Sequence, residues 1–166
     1  MYSELIRNND YKGLRNYIFD MFPKETETYV YDDDFSVISV EIHNHYDVLI
    51  DSAIEHNKPD CLRVILTNFP HIQYNTVAMN LLATGNTPLY NIVKDFVSEF
   101  DICISCMCIS SCDRAKALDK LLEISENASS LCMLAYANLS FGVIEVLDDI
   151  HAVLIKYANP DDHIIL

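Results

Sequence analysis

A chain of 166 residues with half its positions apolar (51%) is long enough to bury a core and too apolar to stay unfolded. Three Gly and five Pro are too few for a turn-rich all-β fold, and no apolar run approaches the roughly 18 residues of a membrane span. The formal charge is −14, from 25 acids against 11 bases, which repels phosphate, excludes a nucleic-acid ligand and favours a basic protein partner. The opening Met1-Tyr2-Ser3-Glu4-Leu5-Ile6-Arg7 lacks the basic-then-apolar plan of a signal peptide, so a cytoplasmic protein is expected. Length predicts a single domain over residues 1–166.

In chain order, residues 3–21 read as a first helical pair, broken near Asn9 and Asp10. Pro23 to Thr28 reads as a loop. Tyr29-Val30-Tyr31 then leads into Asp32-Asp33-Asp34, and an alternating run from Phe35 to Ile42 follows. A triple Asp between two β-prone runs is a turn signal, so residues 29–42 are expected to form a small β-hairpin or an extended acidic insertion. Residues 46–56 and 59–68 make the second pair, with Pro59 suited to a first helical turn. Residues 75–84 and 87–99 make the third, and Pro88 suits the same position. Residues 101–110 and 113–125 make the fourth. Residues 127–137 and 141–158 make the fifth, stopped by Asn159-Pro160.

These pairs repeat in register. An apolar helix runs into a turn residue at Asn9, Asn57 and Gly85. Four residues on, an apolar pair opens the next helix: Gly13-Leu14, Cys61-Leu62, Leu89-Tyr90. Weaker copies turn near Asp113 and Leu139, continuing at Ala117-Leu118 and Val143-Ile144. A fixed period of this size predicts stacked helical hairpins, each burying a face on its neighbour. The small residue, turn and apolar pair resemble the ankyrin repeat, although Thr87-Pro88-Leu89 falls after the turn and not at the opening of a unit. The resemblance implies a mainly all-α, ankyrin-like α-solenoid that binds macromolecules.

Candidate chemistry is sparse. Cys103, Cys106, Cys108 and Cys112 have metal-like spacing, but on one helix they divide between two faces and no His lies near. Interleaved Ile102, Ile104, Met107 and Ile109 predict a helix buried all round, with its cysteines acting as small hydrophobes. His43, His45 and Asp47 would share a strand face. No phosphate loop or nucleophile elbow occurs, so no enzyme, cofactor or metal is expected. The densest acidic cluster joins Asp32, Asp33, Asp34, Glu25, Glu27 and Glu41 with Tyr29 and Tyr31; of these, Asp32, Asp33, Asp34, Glu41, Tyr29 and Tyr31, together with Asp47, are the expected partner-binding residues. Carboxylates meet basic groups, and tyrosines supply rigid contact area. In type, a small acidic chain of this kind resembles bacterial immunity proteins, which neutralise a cognate toxin. That resemblance implies a non-enzymatic module whose acidic surface blocks the basic active site of a toxin, most readily a nuclease. The alternative is a viral or bacterial ankyrin-like host-interaction protein that binds through its repeat face.

Overall fold

A computed structural model describes the backbone of residues 1–20, 25–31, 37–44, 46–69, 74–108, 113–140 and 148–157, and the side chains of most of these outside the strands. Ten helices and one two-stranded antiparallel ribbon lie among the described residues. The fold is mainly all-α, as the apolar periodicity predicts. The chain clusters into two compact units, Met1–His71 and Ile72–Leu166.

The first unit holds α1 (Tyr2–Arg7), α2 (Tyr11–Asp20), β1 (Glu25–Tyr31), β2 (Val37–Asn44), α3 (Tyr46–Glu55) and α4 (Pro59–Asn68). Helix α1 packs on α2 and on α3, α2 packs on α4, and α3 packs on α4. First helix therefore meets first helix, and second meets second. The buried contacts come from Ile6, Leu14, Ile18, Leu49, Leu62 and Ile65. Fully burying side chains of this size stabilises by about 1.5–3 kcal/mol each before entropy is subtracted.

The second unit holds α5 (Asn75–Ala83), α6 (Thr87–Val93), α7 (Glu99–Cys108), α8 (Arg114–Ile124), α9 (Ala128–Ser140) and α10 (Asp148–Tyr157). Helix α5 packs on α6, α7 and α8; α7 packs on α8 and α9; α10 packs on α8 and α9. Side chains tie the layers together. The Asn75 amide donates to Ser105 Oγ at 3.0 Å, and the Cys103 thiol to the Leu131 carbonyl at 3.6 Å.

Three turns follow one physical plan. Asn9, Asn57 and Gly85 have φ of 56°, 51° and 72°, the left-handed region open to Gly and tolerated by Asn. In each, the turn N–H reaches back three residues and the next N–H reaches back five. The bonds are Asn9 to Ile6 and Asp10 to Leu5, Asn57 to Ile54 and Lys58 to Ala53, Gly85 to Leu82 and Asn86 to Leu81, at 2.8–3.0 Å. This double closure satisfies the last carbonyls of the first helix and reverses the chain. The apolar pairs Cys61-Leu62 and Leu89-Tyr90 are then buried as expected, as are Ala117-Leu118.

The weaker copies behave differently. Asp113 has φ −100° and precedes α8 without a left-handed turn, and residues 109–112 lie outside the described residues. Leu139 lies inside α9, which runs to Ser140, so no turn falls there. Ala135, Ala137 and the flanking residues favour helix and carry α9 through it. Residues 141–147, with Val143-Ile144, lie outside the described residues. Pro88 occupies the second helical position of α6, where Asn86 is the cap and accepts from the Leu89 N–H at 3.3 Å.

Two further expectations are corrected. Glu25 to Thr28 belongs to β1 and not to a loop: Glu25 pairs with Asn44, and Thr28 with Glu41. Cross-strand backbone bonds, invisible in local composition, recruit this polar stretch. Helix α7 is not buried all round. Ile102, Cys103, Cys106 and Met107 are buried, but Ile104 is 38% exposed and Ile109 lies outside the described residues.

Candidate functional site

The expected acidic site lies in the first unit. Of the two alternatives for residues 29–42, the backbone forms paired strands. Tyr29 lies opposite Val40, and Glu41 lies opposite Thr28, next to Tyr29 in the chain. Tyr31 ends β1 opposite Val37, after an irregularity between Val30 and Tyr31. Register thus puts the Tyr29 and Glu41 positions on neighbouring rungs, which alternate between the two faces of the ribbon. Asp32, Asp33 and Asp34 lie outside the described residues, as do the side chains of Tyr29, Tyr31 and Glu41.

Asp47 is not on a strand beside His43. Strand β2 ends at Asn44, and Asp47 sits exposed in the first turn of α3. A carboxylate there complements the positive end of the helix. Sequence reasoning missed its companions. Asp47, Asp51 and Glu55 follow each other at intervals of four and are all exposed, so they form a stripe along one face of α3. Partial desolvation, and then the charge of Asp51, hold the Asp47 carboxyl above the ordinary carboxylate range. The same two causes, burial first and the Asp47 charge second, raise the neighbouring Tyr46 phenol. Its ring packs against Phe69 with centroids 5.7 Å apart. The stripe presents three exposed carboxylates on one face of α3, a surface that suits a cationic partner.

Cys103 and Cys106 are fully buried, and burial pushes both thiols up to about 12. They stay protonated at neutral pH and pack as small hydrophobes. Cys61 is buried too and donates to Asn9 Oδ1 at 3.7 Å, linking the first turn to α4. No cluster of His, Cys, Asp and Glu suited to a metal occurs among the described residues.

No protein-family model, curated protein or solved structure matches this chain. Geometry alone therefore bears on function. No helix among the described residues is long and apolar enough to cross a membrane.

A second feature, which sequence reasoning also missed, lies in the second unit. An open cavity of 340 Å³ sits where α7 and α9 begin, lined by Lys94, Asp95, Val97, Glu99, Phe100 and Asn127 among others. Glu99 is fixed there: its Oε2 accepts from the Ser125 hydroxyl at 2.6 Å and from the Asn127 amide at 3.4 Å. The Ser98 hydroxyl caps the helix start by accepting from the Phe100 N–H at 3.1 Å. Phe100 remains 43% exposed at the cavity. The readable signal was the excess of apolar residues on α7, more than one buried face needs. A shallower groove of 350 Å³ beside Gly85 is lined by Lys116, Asp119, Lys120 and Glu123. Its lysines are engaged by Asp113 and Glu123 at 2.9 and 3.0 Å.

Proposed function

We propose that this chain is a non-enzymatic protein-binding module of the cytoplasm that captures a basic protein through an acidic surface made by the β1–β2 ribbon and α3. In this reading it acts as an immunity protein. It covers the basic cleft of a toxin, most readily a nuclease, with carboxylates that stand in for phosphate. The observation that carries the reading is the Asp47–Asp51–Glu55 stripe, three exposed carboxylates at intervals of four along α3. A basic partner gains charge-assisted contacts with these carboxylates. The stripe begins three residues after β2 ends, so it follows Glu41 and the triple Asp along the chain. In this reading the helical pairs are ankyrin-like repeats.

Affinity capture from native cells at low and high salt tests this. Wild-type protein should retain a basic partner that high salt releases, because exposed charges are screened beyond about 8 Å at physiological ionic strength. Combined Asp47→Asn, Asp51→Asn and Glu55→Gln should lose it, as should Asp32→Asn with Asp33→Asn and Asp34→Asn. A partner held equally by all variants and at all salt concentrations would sink the reading. It would instead favour the second one, a viral or bacterial host-interaction protein that binds through helix faces. The observation favouring that alternative is the exposure of Phe100, Ile104 and Met133 on α7 and α9.

A further inference from the structure

We draw no further inference here: the strongest candidate, the Tyr90 hydroxyl buried on α6 with no hydrogen-bond partner, lines neither the cavity at Glu99 nor the groove beside Gly85, so nothing in the structure shows a ligand that it would meet.

Discussion

Gly85 shows how one residue sets a chain reversal. Its φ of 72° is left-handed, and a Cβ there would meet nothing within 4 Å. The cost of replacing it is therefore backbone strain with no steric clash. Gly85→Ala should lower stability by about 1 kcal/mol, and Gly85→Asn by less, because Asn tolerates this region. Urea unfolding of the three proteins checks the order. Asn9 has the same backbone geometry but a second duty. Its side chain donates to Asp60 at 3.4 Å and accepts from the Cys61 thiol. These turn residues were readable in the sequence because Asn and Gly are selected locally by positive φ. The Asn9 contacts were not, since Asp60 and Cys61 are brought there by packing.

At the scale of elements, α2 starts on a mutually dependent pair. The Asp10 carboxylate accepts from the Gly13 N–H at 2.9 Å, and a Cβ at Gly13 would collide with that carboxylate and with Leu5. Asp10→Ala should cost about 1 kcal/mol by removing the cap. Gly13→Ala should gain helix propensity and lose the same cap. The double variant should then be more stable than the sum of the singles, since the cap can be lost only once. A four-protein thermal-melt cycle measures this.

Helix α10 is tied to α8 by Lys156 donating to Asp119 at 2.8 Å and by the Tyr157 hydroxyl donating to the Asp119 carbonyl at 3.1 Å. The Lys156 hydrogen bond is the main cause holding the Asp119 carboxyl below its ordinary 3.8. The unfolded chain therefore binds the proton more readily than the folded one. The tie contributes its stability above that ordinary value and loses it as pH falls through the lower folded value. Asp119→Asn should be less stable than wild type at neutral pH, by a small margin given its exposure, and the gap should close in strong acid. A pH series of melting temperatures for both proteins tests the sign.

For the whole molecule, charge dominates. Twenty-five acids against 11 bases leave a compact state that repels itself. Added sodium chloride up to a few tenths molar should raise the melting temperature, because screening weakens repulsion more than it weakens the exposed ion pairs seen among the described residues. A flat or falling melting temperature would mean that ion pairs outweigh the net charge. The same salt series, applied to partner capture, should run the opposite way if carboxylates carry the binding.

The sequence by itself determined the first three helical pairs, their turns at Asn9, Asn57 and Gly85 and the β-prone segments around Asp32-Asp33-Asp34. Those features depend on neighbours within about five residues, through apolar periodicity, caps and φ preference. Tertiary structure decided what periodicity could not. Ile102 and Ile104 are identical side chains two residues apart on α7, yet one is fully buried and the other exposed. The difference arises because α5, α8 and α9 cover only one side of that helix. The cavity is likewise a tertiary product: Glu99 meets Ser125 and Asn127 only when the starts of α7 and α9 come together. Burial and convergence depend on which surfaces meet, and that is a property of the packed chain.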